Sequence, residues 1–185
     1  MVRAFLGIAV LVVVAACESG GSSRVGNVHI SDFYSPSLVG YVNRNGTFPT
    51  AIYGNPFSIS KADADRAIRA VRSPPEWAGA GRFVQDAIAD QERGLRLVLV
   101  FNPDDRAVGP RRVCASAGNI PTRTATGETH VLAAFCRDNE WNTFASIRVA
   151  QVKSPDGAAL GDLMSKIILH ALPFKERRDR PFDVN

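Results

Sequence analysis

Leu95-Arg96-Leu97-Val98-Leu99-Val100-Phe101 is the stretch that decides the fold. Leu95, Leu97, Leu99 and Phe101 alternate onto one face of an extended chain, while Val98 and Val100 make the opposite face apolar too. A strand with one face in water alternates apolar with polar residues. One that is apolar on both faces belongs inside a sheet covered on both sides. Asn102-Pro103-Asp104-Asp105 then turns the chain.

Further elements follow on either side. Downstream, Arg111 to Ala115, Thr129 to Cys136 and Phe144 to Val152 read as strands, with Asn139 and Asn142 in the turn of an antiparallel hairpin between the last two. A helix runs from after Ser154-Pro155-Asp156-Gly157 to about Leu172. Its apolar stripe is Leu160, Leu163, Met164, Ile167, Ile168 and Ala171, and Pro173 ends it. Upstream, Ser60 caps a helix with Ala64, Ala67, Ile68 and Val71 on one face, and Pro74-Pro75 stops it. Asp65 and Arg69 can pair across one of its turns. Residues 76–94 read either as loop, from Gly79 and Gly81, or as a short helix carrying Phe83, Ala87 and Ile88. Residues 43–57 are dense in turn signals, and Asn45-Gly46 suggests a hairpin joining Tyr41-Val42 to Phe48. Leu38 to Val42 is a candidate strand, and Val28 with Ile30 suggests a short extended piece.

The expected fold class is α+β: a mostly antiparallel β-sheet of four to six strands with two or three packed helices and one disulfide. A single domain would fill residues 28–174, followed by a charged tail over 175–185.

The first residues carry a different kind of information. Met1-Val2-Arg3 is a positive start, Ala4 to Ala16 is apolar without a charge, and Val14-Ala15-Ala16-Cys17 closes the run. At 13 residues it is shorter than the roughly 20 needed to span a bilayer as a helix. This pattern resembles the signal peptide and lipobox of bacterial lipoproteins. The resemblance implies cleavage after residue 16, a lipidated Cys17, and a bilayer as the chain's first partner. Residues 17–27, rich in Gly and Ser, would be the tether. Two or three acyl chains anchor firmly where one binds only marginally. In the sorting systems of this class an Asp after the cysteine retains the protein in the inner membrane. Glu18 at that position favours the outer membrane, facing the periplasm. Ordinary signal-peptidase cleavage at Ala15-Ala16, releasing a soluble protein, is the alternative.

The whole chain has 22 Lys and Arg against 18 Asp and Glu, a formal charge of +4. Both signs are scattered along it, which reads as solvated surface or as a patch for anionic headgroups or envelope glycan. Nucleic acid is not an expected partner. With Cys17 assigned to lipid, Cys114 and Cys136 remain as an even pair in an oxidising compartment, so a structural disulfide is expected. Two lone cysteines lack the second pair a zinc site uses, and the spacing is not C-x-x-C. No metal or other cofactor is expected.

No catalytic constellation is legible. The histidines are His29, His130 and His170, none beside a serine in a nucleophile motif. Asp63/Asp65 and Asp104/Asp105 sit where a helix start and a proline turn favour acids on structural grounds. Weak candidates for ligand contact are Trp77, His130 and Trp141. The two tryptophans fall in segments without regular pattern, and His130 opens a strand where a sheet can border a cleft. The expectation is a membrane-anchored envelope lipoprotein, a non-enzymatic accessory or binding module. An envelope hydrolase working through His130 or the Asp104/Asp105 turn and a purely structural surface lipoprotein are the alternatives.

Overall fold

The computed structural model describes residues 23–85, 94–104 and 108–174. Cys17, the segment 86–93, Asp105 and the tail 175–185 lie outside the described residues.

Leu95–Phe101 forms the strand its sequence predicts, here β4, and it is interior on both counts. It pairs with β5 (Glu128–Arg137) on one side and β2 (Thr47–Tyr53) on the other. Leu97, Leu99 and Phe101 enter one apolar layer, Val98 and Val100 a second. With β1 (Arg24–Ile30), β3 (Arg82–Gln85) and β6 (Glu140–Ala150), the six-stranded sheet runs β1-β6-β5-β4-β2-β3. The three pairings from β1 to β4 are antiparallel. β2 runs parallel to both β4 and β3, as a strand followed by a crossover helix must if it is to pair with the next strand in the same direction.

Among the described residues four α-helices cover the sheet, where two or three were expected. α1 (Pro36–Asn43), α2 (Lys61–Ala70) and α4 (Ala158–Ala171) supply Val39, Ala64, Ile68, Leu160, Leu163, Met164 and Ile167 to the first layer. α3 (Pro110–Ser116) closes the second with Val113 and Cys114. Each fully buried Leu or Ile stabilises by about 1.5–3 kcal/mol relative to exposure.

Two expected strands are helices. Leu38 to Val42 lies in α1 and Arg111 to Ala115 in α3. Five residues are too few to separate a strand from one helical turn by periodicity. The missed signal was the proline that opens each: Pro36 and Pro110 stand in the first turn, where the lost N–H had no partner to lose. In α3 the buried residues are then Val113, Cys114 and, just beyond, Ala117, a helical face.

The turn-rich segment 43–57 hides β2. Gly46 and Gly54, both at positive φ, bracket it. Pro49 stands one residue before the first pairing with β4, at Thr50↔Leu97, so it lies where only β3 is registered beside it. The Asn45-Gly46 turn therefore joins a helix to a strand and not two strands. Over 76–85 the chain makes a 3₁₀ turn at Glu76–Ala78 and then β3.

α2 begins as its sequence says. The Asp63 backbone N–H donates to Ser60 Oγ at 3.1 Å, and the Ser60 hydroxyl together with Arg66 holds the Asp63 carboxyl below its ordinary range. Asp65 pairs with Lys61, one turn back, where Arg69 was the expected partner. β1 starts at Arg24, inside the segment read as tether. Among the described residues no helix is long and apolar enough to cross a membrane.

Candidate functional site: a polar recess at the Asn102 turn

The disulfide forms as expected, but between a helix and a strand. Cys114 on α3 joins Cys136 on β5 with Cα atoms 5.6 Å apart. Beside it lies Arg96, a buried arginine on β4 directly opposite Cys136. Its guanidinium donates to the carbonyls of Cys114 at 2.9 Å, Asp138 at 3.1 Å and Gly94 at 3.3 Å. A buried cation is tolerated only when its donors are satisfied, and here backbone carbonyls perform that role. This end of the second layer is stapled by the disulfide and by the Arg96 hydrogen bonds.

The chemistry-bearing groups collect at the other end of the same face. As β4 ends, Asn102 takes a left-handed backbone conformation, φ 50°, which Asn tolerates better than most residues. It ties three segments together. Its N–H donates to the His130 carbonyl at 2.7 Å and its Oδ1 accepts the His130 N–H at 3.0 Å. Its own carbonyl accepts the Arg123 N–H at 2.9 Å. The His130 N–H fixes the amide orientation, since that donor requires Oδ1 to face it. Nδ2 is thereby turned elsewhere, and it is buried without a hydrogen-bond partner among the described residues.

Around this turn opens a recess of about 240 Å³, lined by Asn102, Pro103, Arg123, Glu128, His130 and Arg148 among others. Glu128, His130 and Arg148 share one sheet face: His130 sits opposite Arg148 across β5–β6, and residues two apart on a strand point the same way. The same row continues onto β1, where Arg24 sits opposite Arg148. Like charges directly opposite across strands repel. Glu128 offsets part of this at 3.2 Å from Arg148, and Asp104 lies 3.8 Å from Arg123. The His130 ring is nearly buried, with Nε2 2.9 Å from Ser146 Oγ on β6.

The residues singled out from sequence do not converge. His130 borders a cleft, as its position suggested. Trp141 is on strand β6, not in an irregular segment. There it packs half-buried against the second layer, edge-on to His29 at 6.2 Å. Trp77 is in the 3₁₀ turn on the opposite layer, its ring 5.4 Å from that of Phe174. It borders a mainly apolar groove of about 500 Å³ between the end of α2 and the end of α4. His29 is exposed on β1 and His170 half-buried on α4. Asp104 flanks the recess through Arg123. Sequence reasoning missed Asn102, Arg123, Ser146 and Arg148. Asn102 was readable only as a turn residue, and the rest carry no local motif. Among the described residues no group of three or more His, Cys, Asp or Glu is placed to hold a metal ion.

No protein-family model matches the chain, and no curated protein matches it. A solved structure, a dodecamer of PelC from Paraburkholderia phytofirmans, is similar over 84% of this chain and 99% of that one, at 11% identity and a TM-score of 0.36. At that score neither fold nor function carries over.

Proposed function

We propose that the chain is a lipid-anchored envelope lipoprotein whose domain is a non-enzymatic binding module. The observation that carries the anchor is Cys17, placed where an apolar run closed by Ala15-Ala16 would be cut. Arg24 opens β1 seven residues later, so the domain's first strand would lie within about 25 Å of the lipidated sulfur, the reach of seven extended residues. Outer membrane, periplasmic side, is the location that Glu18 favours. What supports binding over catalysis is the character of the recess. Its lining includes Arg123, Arg148, Glu128, Asn102 and His130, groups that hold a charged or polar ligand through ion pairs and hydrogen bonds.

One observation favours the hydrolase reading: Ser146 and His130 stand at hydrogen-bond distance. A nucleophilic serine needs a base, a group orienting that base, and backbone donors facing the developing oxyanion. A sharp turn commonly projects such a serine. Ser146 lies instead flat within β6, paired with Leu132 and flanked on the other side by β1, where a Cβ added at Gly26 would fall 3.3 Å from the Ser146 carbonyl oxygen. That is the setting of a structural hydrogen bond.

Detergent phase partition tests the anchor, and labelling with a fluorophosphonate tests catalysis. The wild type should enter the detergent phase, Cys17→Ser should remain in the aqueous phase, and neither should take the label. Aqueous partition of the wild type overturns the anchor. Labelling that Ser146→Ala abolishes overturns the binding module in favour of a hydrolase.

A further inference from the structure

We infer that the recess at the Asn102 turn is a binding site for a small carboxylate, with Arg148 as its central donor. The inference rests on the binding-module reading of the domain but not on its lipid anchor.

Three observations converge. The first is charge. Among the described residues that line the recess, Arg123 and Arg148 stand against one carboxylate, Glu128, two cations to one anion, and Arg24 lies opposite Arg148 in the strand register beside them. A monoanion balances this set. A dianion would meet Glu128 and Asp104. The second is the unpartnered Asn102 Nδ2, a buried donor on a residue that lines the recess. An unmet buried donor is unfavourable, and an acceptor oxygen that the turn admits beside Asn102 would satisfy it. The third is size. A recess of about 240 Å³ corresponds to about eight waters at their liquid volume, room for a molecule the size of an amino acid or a sugar acid.

The roles follow from the chemistry of each group. The planar guanidinium of Arg148 presents paired donors that match a carboxylate, and Arg123 adds a second cation from the segment before β5. A Glu128 carboxylate oxygen is suited to accept from a hydroxyl or ammonium next to the ligand's carboxylate. Among the described residues no Phe, Tyr or Trp lines the recess, so recognition goes through charge and hydrogen bonds. The shared ligand chemistry is a carboxylate with an adjacent hydrogen-bond donor, which a sugar acid and an amino acid both offer.

The test is a titration of the purified mature chain in detergent, followed by calorimetry and by the side-chain amide resonance of Asn102. The probes are sodium glucuronate, sodium glutamate, glycerol phosphate and glucose. Saturable binding of glucuronate or glutamate is expected, with a shift of the Asn102 amide, and whichever binds identifies the ligand's source. Asn102→Asp keeps the oxygen that accepts the His130 N–H but replaces the free donor with an anionic oxygen. It should weaken binding by about tenfold or more, a loss of about 1.4 kcal/mol or more. Arg148→Gln should do the same and serves if Asn102→Asp fails to fold. Absence of carboxylate binding, equal binding of glucose or glycerol phosphate, or undiminished binding by both variants overturns the site. Phase partition and acyl attachment are unaffected by these outcomes, so the anchor and the recess can fail separately.

Discussion

Asn102 and His130 hold each other's backbones from both sides: the Asn102 N–H donates to the His130 carbonyl, and the Asn102 side chain accepts the His130 N–H. This double clasp lies just beyond Phe101↔Val131, the last registered pair of β4 and β5. It fixes where the sheet stops and the recess begins, so a structural role and the proposed binding role coincide in one side chain.

The structural role is separable by mutation. Asn102→Ala removes the acceptor for a buried N–H and should lower stability by about 1–3 kcal/mol. Asn102→Asp keeps that acceptor and tolerates positive φ, but it buries a charged oxygen where Nδ2 stood, so it too should be less stable than the wild type. Urea unfolding of the three proteins checks this, and an Ala variant as stable as the wild type would show that the clasp contributes nothing.

The disulfide should contribute about 3 kcal/mol for a loop of 22 residues. The double variant Cys114→Ser/Cys136→Ser should unfold at correspondingly lower denaturant. A thiol reagent applied to the native protein without reductant should modify neither cysteine. Modification of both would rule the bond out.

Tyr34 links the segment before α1 to the chain beyond α4 by donating its hydroxyl to the Pro173 carbonyl. Burial pushes its phenol pKa well above the ordinary value. Because the folded state holds the proton more tightly than the unfolded chain, whose phenol titrates near 10, this contribution is complete below about pH 10. It falls as pH rises beyond that. Ultraviolet titration should show one tyrosine ionising only on alkaline unfolding, and Tyr34→Phe should abolish that late step.

Gly54 closes β2 at φ 76°, where an added Cβ would fall 2.3 Å from the Phe101 carbonyl oxygen. Both the backbone conformation and the space exclude a side chain, so Gly54→Ala should cost more than about 1 kcal/mol, read as a lowered Tm. An unchanged Tm would mean that β2 and β4 do not meet there.

Long, strongly patterned elements were legible in the sequence: β4, the β5–β6 hairpin, α2 with its Ser60 cap, and α4 with its stripe. Their apolar residues repeat often enough for the period to declare itself. α1 and α3 were misread because five residues sample neither period fully, and β2 because Pro49 and the glycines flanking it imitate a loop. The site was legible at His130 alone. Arg123 and Arg148 are far apart in sequence from Asn102, and only the strand registers bring them to one recess. The free amide of Asn102 exists only because the His130 N–H claims the other half of that side chain, a fact of tertiary geometry that no local pattern encodes.

The most direct test of the lipid-anchored reading is the intact mass of the chain extracted from membranes, with its N-terminal peptide sequenced by fragmentation. A chain that begins at Cys17 and carries acyl groups on that residue is the expected result. A chain that begins elsewhere, or a Cys17 without acyl groups, would contradict it.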